Sequence, residues 1–174
     1  MSRNNKHKNM KINKLAIVAL GLAVIAIAAA LFSNSGKEEN QQVGNVVESQ
    51  FAENGDLLIP ITDITEKASF YSLEVDGTKL EVLALKAPDG TIRTAFNTCQ
   101  VCYNSGRGYY VQEGDALVCQ NCGNRFSASD VEVTRGGCNP VPISEEYKTV
   151  DQENISISME FLKEAVIIFG NWKS

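Results

Sequence analysis

Past the seventh residue the chain contains no histidine: His7 is the single one among 174 residues, and it sits in a basic N-terminal tail. A body without imidazole excludes Ser-His-Asp and Cys-His nucleophilic sites, HExxH zinc sites, histidine-ligated iron–sulfur clusters and c-type haem attachment. Tyr103 and Gly123 stand where a haem-binding CxxC needs its histidine. Basic charge is also scarce in the body. Residues 1–32 hold five basic side chains (Arg3, Lys6, Lys8, Lys11, Lys14) and no acid, which leaves residues 33–174 with 11 basic against 21 acidic groups, a net of −10. So acidic a body argues against nucleic acid as a partner, because phosphates demand a basic surface. A chain of 174 residues has room for one compact domain plus an appendage. What it does have for chemistry is cysteine, five of them.

Leu15 to Phe32 is an unbroken apolar run of 18 residues, counting Gly21. As a helix it spans about 27 Å, close to the thickness of a bilayer's hydrocarbon core. The run exceeds the roughly 7–15 apolar residues of a cleaved secretory signal, although Ala28-Ala29-Ala30 offers a cleavage site, so a retained transmembrane anchor is the expectation. No cysteine ends the run, as a lipoprotein signal would require. The positive-inside rule keeps residues 1–14 cytoplasmic and sends the C-terminal body across. The sequence therefore predicts a single-pass cell-membrane protein: a basic cytoplasmic tail (1–14), an anchor or signal (15–32), a polar flexible linker (33–54) and an extracytoplasmic domain (55–174).

Within that domain the hydrophobic pattern is mostly of period two. Leu57 to Ile61 is a short apolar run broken by Pro60. Ser69–Val75 reads as a strand, Asp76-Gly77 as a hairpin turn, and Lys79–Leu85 as the returning strand with a more buried end. Pro88-Asp89-Gly90 is a second turn, Thr91–Phe96 a third strand, and Tyr109–Val111 with Ala116–Val118 a further hairpin. Near the C-terminus Ile155 and Ile157 alternate as a brief strand. Ser158 is placed to cap a helix from Met159, and Phe161, Leu162, Ala165, Val166, Phe169 and Trp172 recur at helical spacing, a stripe expected to pack on the sheet. The fold class is mainly β, antiparallel hairpins with a C-terminal helix.

Cys99-Gln100-Val101-Cys102 and Cys119-Gln120-Asn121-Cys122 form C-x2-C-x16-C-x2-C. Two residues between cysteines let both sulfurs of one turn grip an ion at about 2.3 Å, and two such knuckles on a hairpin supply four thiolates. The spacing points to a four-cysteine centre without choosing between zinc, mononuclear iron and an iron–sulfur cluster. Exported cysteines can also pair as disulfides, but the odd count argues against an all-disulfide framework, and the α/β pattern of a thioredoxin-like dithiol is missing. Cys138, in Arg135-Gly136-Gly137-Cys138-Asn139-Pro140, has four readings: a ligand, a neighbour of the ligands, a reactive thiol beside the centre, or a buried structural residue. All four arginines of the body (Arg93, Arg107, Arg125, Arg135) fall among or beside the cysteines, where guanidinium groups could offset the charge of a thiolate centre; ordinary surface arginine is the other reading.

From Leu58-Ile59-Pro60-Ile61 to Gly136-Gly137-Cys138-Asn139-Pro140-Val141-Pro142-Ile143 the chain resembles the membrane iron–sulfur containing, FtrD-like family. The likeness runs through Ala68-Ser69-Phe70-Tyr71, Asp76-Gly77, the stretch from Lys86 to Phe96 and both CxxC pairs, and covers about half the chain. It implies a membrane-anchored, extracytoplasmic iron–sulfur or redox protein, linked in some members to iron permeases. The hairpins are similar to Rieske-like domains with cysteine in place of histidine, or to zinc ribbons. Asn97-Thr98 departs from the family's pattern, where Asp and a small residue are expected before Cys99. The expectation is a redox carrier or metal-handling protein rather than a catalyst on an organic substrate. Cys99, Cys102, Cys119 and Cys122 would ligate an iron–sulfur cluster or mononuclear iron, alternatively zinc, with Cys138 as a further ligand candidate. Its partners would be the membrane, through the N-terminal helix, and a redox partner or metal permease. A metal carrier for a permease, and a structural zinc module for protein–protein contact, are the alternatives.

Overall fold

The computed structural model describes residues 44–174. The apolar run 15–32, its basic flank and most of the expected linker lie outside the described residues, among which no helix is long and apolar enough to cross a membrane. In chain order the strands are β1 (Asn45–Glu48), β2 (Gln50–Phe51), β3 (Leu57–Pro60), β4 (Ser69–Val75), β5 (Thr78–Lys86), β6 (Ile92–Cys99), β7 (Tyr110–Glu113), β8 (Ala116–Cys119), β9 (Arg125–Ser127), β10 (Pro140–Pro142), β11 (Lys148–Val150) and β12 (Asn154–Ile157), followed by one α-helix, α1 (Met159–Ala165). They form a five-stranded sheet β1-β4-β5-β6-β10, a four-stranded sheet β11-β12-β3-β2 and a three-stranded sheet β7-β8-β9. The domain is thus mainly β and antiparallel, except that β1 runs parallel to β4. Strands β1 and β2 fall inside the stretch expected as linker. Their mostly exposed side chains carry no apolar alternation, and backbone pairing to the edges of β4 and β3, with Val47 half-buried against the core, orders them.

The five-stranded sheet is covered on both faces, which explains why β5, after alternating over Lys79–Val82, ends in the unbroken apolar run Val82–Leu85. Leu80, Val82 and Ala84 enter one core with β3, β12 and the helix, whereas Leu83 and Leu85 enter a second with Tyr110, Leu117, Phe126, Cys99 and Cys119. The β4–β5 turn is closed by Asp76 and Gly77, both at positive φ (49° and 78°), as a two-residue hairpin requires. Ser158 accepts a hydrogen bond from the Phe161 N–H and starts α1, as its position predicts. The helical stripe packs on the sheet: Leu162, Ala165 and Phe169 are buried, and Phe96 meets the rings of Phe161 and Phe169 at 5.5 and 5.8 Å. Each large apolar side chain fully buried in this way stabilises the domain by about 1.5–3 kcal/mol.

One buried ion pair fixes the long connection from β9 to β10. Lys148 Nζ lies 2.7 and 2.8 Å from the two Glu132 carboxylate oxygens and donates to the Thr94 hydroxyl at 2.9 Å. Glu132 also accepts from the Thr94 N–H, and it does so from a left-handed backbone conformation (φ 68°). The loop that carries Cys138 is therefore tied to β6 six residues upstream of the thiol.

Candidate metal centre

Three loops converge at one end of the second core. Cys99 ends β6 and Cys102 sits in the turn after it; Cys119 ends β8 and Cys122 the turn after that; Cys138 arrives on the loop before β10. Sγ atoms of Cys99, Cys102, Cys119 and Cys138 all lie within 4.8 Å of one another. Cys138 is the common neighbour, 3.3 Å from Cys99, 3.9 Å from Cys102 and 2.9 Å from Cys122. Cys122 is exposed and stands outside the group of four in mutual reach. The spacing points to Cys99, Cys102, Cys119 and Cys122; the mutually close four are instead Cys99, Cys102, Cys119 and Cys138, with Cys122 beside Cys138.

Backbone geometry holds the two knuckles at one point. The Cys99 N–H donates to Gly108 O at 2.7 Å and the Gln120 N–H to Tyr109 O at 2.8 Å, so the strand leading into β7 is gripped by both. Glycine is required at 108 because an added Cβ would sit 2.2 Å from the Cys102 carbonyl oxygen. The N–H groups of Val101 and Cys102 point back at Cys99 Sγ at 3.4 and 3.2 Å, a bent turn that donates two hydrogen bonds to one sulfur. A β-bulge between Pro140 and Val141 lets β10 leave its register with β6 beside the site.

Side chains outside the cysteine set position the Cys138 loop. Gln100 donates to Pro140 O at 3.1 Å and accepts from the Gly136 N–H at 3.0 Å. Asn124 donates to Cys138 O at 3.0 Å, and Asn139 closes on Gly136 O. Tyr110 is buried with its hydroxyl 4.0 Å from Cys138 Sγ. No residue pattern singles out Asn124 or Tyr110, whereas a glutamine follows the first cysteine of each knuckle, Gln100 and Gln120.

Asn97, two residues before Cys99, joins the two hairpins. Its amide donates to Glu81 Oε1 at 2.7 Å and Tyr110 O at 3.2 Å, and its carbonyl accepts from the Tyr110 N–H at 2.7 Å. Glu81, itself buried, also takes the Ser72 hydroxyl and Lys173 Nζ, and Trp172 donates to Asn97 O. The departure from the expected aspartate has a physical reason: facing Glu81, a donor fits where a second carboxylate would not.

The arginines take little part. Arg93 pairs with Asp89, Arg125 with Glu113, and Arg135 donates to the Ser144 hydroxyl. Among the described residues, the groups that reach sulfur are backbone N–H, the Tyr110 hydroxyl, the Asn121 side chain and other thiols, with no arginine among them. The thiols are electrostatically unequal. Burial alone would raise Cys99, but the Cys102 N–H, the Tyr110 hydroxyl and the Val101 N–H outweigh it and hold the thiol below its ordinary value. Burial pushes Cys102 up to about 11 and raises Cys138 strongly, the latter with help from Cys122. Contact with Cys138 and the Asn124 N–H hold Cys122 down to about 7. A set of close thiols with amide donors aimed at sulfur, and no carboxylate or imidazole among them, fits a thiophilic metal or iron–sulfur group.

The fold and the site define a β domain built round a cysteine cluster. Residues 64–169 match the family described as membrane iron–sulfur containing protein, FtrD-like, and the chain belongs to that family. No curated protein and no solved structure matches it. The family's description and the cysteine cluster together support metal or iron–sulfur binding and membrane association.

Proposed function

We propose that the chain is a membrane-anchored, extracytoplasmic iron or iron–sulfur protein that works in electron transfer or iron handling. Cys99, Cys102 and Cys119 hold the group, with the remaining thiolate position filled from Cys138 or Cys122. The observation that carries this reading is the approach of four sulfurs to within 4.8 Å from three separate loops. Bound iron supplies one-electron chemistry or is itself the cargo. The chain's own part is to hold the thiolates, exclude water from the Cys99 and Cys119 side, and aim the Val101, Cys102 and Tyr110 donors at sulfur, which tunes a bound group. The opposite side reaches the surface at Cys122, as exchange of electrons or metal with a partner requires. The acidic body suits a cationic partner or metal ions. Residues 15–32 and their basic flank support the anchor and its orientation.

Anaerobic purification of the full chain, metal analysis and an optical spectrum test the proposal together. Charge-transfer bands that bleach with dithionite, alongside stoichiometric iron, are expected. A colourless protein with one zinc and no redox response would refute it and leave the structural zinc module.

A further inference from the structure

A four-ligand site needs four thiols, and five converge here. The sequence pattern assigns the four to the two knuckles, but the geometry selects otherwise: Cys99, Cys102, Cys119 and Cys138 are the mutually close set, and Cys122 is the sulfur left at the rim. Sulfurs around one tetrahedral ion with bonds of about 2.3 Å stand about 3.8 Å apart. The separations of 3.3 and 3.9 Å from Cys138 to Cys99 and Cys102, and the 4.8 Å limit on the whole group, are of that size. A cluster of several irons carries its thiolates on different metal atoms and spreads them further.

Cys122 nonetheless meets the group most closely at Cys138, 2.9 Å away, with Cys102 and Cys119 also within reach of its sulfur. Cys138 is also the one ligand belonging to neither knuckle. It hangs on Gly136 and Gly137, both at positive φ (84° and 69°), with nothing within 4 Å of where a side chain would begin. Its carbonyl is held by the Asn124 side chain, in the loop that carries Cys122. Two thiols, one half-buried and one exposed, thus compete for a single corner of the site.

Building on the metal-thiolate reading above, we propose that Cys99, Cys102, Cys119 and Cys138 hold a single thiophilic divalent ion, and that Cys122 is an exchange thiol that replaces Cys138 on the solvent side and passes the ion to a thiol-bearing acceptor. As the Cys122 sulfur bonds to the ion, the Cys138 sulfur lets go and takes the proton that Cys122 gives up. No electron moves and the ion's charge is unchanged. The three remaining thiolates keep the ion until the acceptor's thiols replace them in turn.

The test uses the full chain in detergent under reducing conditions, with cobalt(II) as the probe and a small dithiol chelator as the acceptor. One cobalt per chain with sulfur-to-cobalt charge-transfer bands is expected for the wild type, and Cys122→Ser should keep both the stoichiometry and the band intensity. Cys138→Ser should also keep four-thiolate bands, because Cys122 takes the vacant corner, whereas the double variant should lose one thiolate's share. Transfer of cobalt to the dithiol should be about tenfold slower in Cys122→Ser than in the wild type. Loss of band intensity in Cys122→Ser, with none in the double variant beyond it, overturns the ligand assignment. Transfer at the wild-type rate overturns the exchange role. Failure of the wild type to bind cobalt through sulfur, with Cys99→Ser no different from it, refutes the underlying metal reading instead. The cobalt spectrum of Cys122→Ser itself reports that this exposed substitution leaves the site folded.

Discussion

Replacing Asn97 by aspartate changes one NH2 group to oxygen and should cost the domain about 2–4 kcal/mol at pH 7, by an amount that depends on pH. The Asn97 amide now donates to Glu81 Oε1 at 2.7 Å and to Tyr110 O at 3.2 Å. An oxygen there faces two acceptors in a buried site, and the strain is relieved only if the new carboxyl keeps its proton. Holding an ordinary carboxyl of pKa about 3.9 protonated at pH 7 costs about 1.4 kcal/mol per pH unit, so about 4 kcal/mol is the ceiling. Lys173, whose Nζ lies 3.1 Å from Glu81 Oε1 and whose side chain is 39% exposed, offsets part of the repulsion and sets the lower figure. The sign follows from linkage. A carboxyl whose folded-state pKa is raised destabilises most at high pH, and the deficit fades as pH falls towards the unfolded value. Urea unfolding of the full chain at pH 7 and pH 4.5, followed by the fluorescence of Trp172, measures this directly. Trp172 is the only tryptophan and donates to Asn97 O at 2.7 Å, so the reporter sits on the perturbed residue. Adding Glu81→Gln to Asn97→Asp restores a donor between the two side chains and should recover most of the loss. Wild-type stability of Asn97→Asp at pH 7, or a deficit that ignores pH, would refute the reasoning.

Three further perturbations probe how the fold supports the site. Glu132→Ala leaves Lys148, only 6% exposed, without its carboxylate and should destabilise by about 3–5 kcal/mol, while Glu132→Ala with Lys148→Met should cost less than the two singles added; a double-mutant cycle in urea that shows simple addition would count against a coupled pair. Gly108→Ala puts a Cβ 2.2 Å from Cys102 O and should displace the first knuckle and lower metal retention in metal analysis, whereas Gly77→Ala, at φ 78° with open space around it, should cost about 1 kcal/mol in a thermal melt and leave metal content unchanged. Trp172→Ala removes the donor to Asn97 O and the edge contact with Phe169 at 5.5 Å; a loss of about 3 kcal/mol by circular dichroism and faster release of metal to a chelator are expected.

Much of the strand order was legible because it is written locally. The period-two runs 69–75 and 79–85 around Asp76-Gly77 become β4 and β5, and Ser158 caps the helix it was expected to cap. Strands β1 and β2 were not legible, since two short, mostly exposed segments held chiefly by backbone pairing leave no period in the side chains. The placement of four arginines beside the cysteines in sequence suggested a role that three of them do not take, because their side chains reach carboxylates or a hydroxyl on neighbouring loops.

By itself the sequence determined that the chemistry is that of cysteine. Without histidine in the body, and with two CxxC pairs at hairpin spacing, thiolates are what a metal can bind. Which thiolates stand together was decided by tertiary structure. CxxC spacing fixes a pair within a turn, over a few bonds, but the position of Cys138 depends on Gln100, Asn124 and the Glu132–Lys148 pair, contacts between residues far apart in the chain. The same long-range packing leaves Cys122 exposed while its partner Cys119 is buried, a difference between two members of one motif that no local pattern encodes.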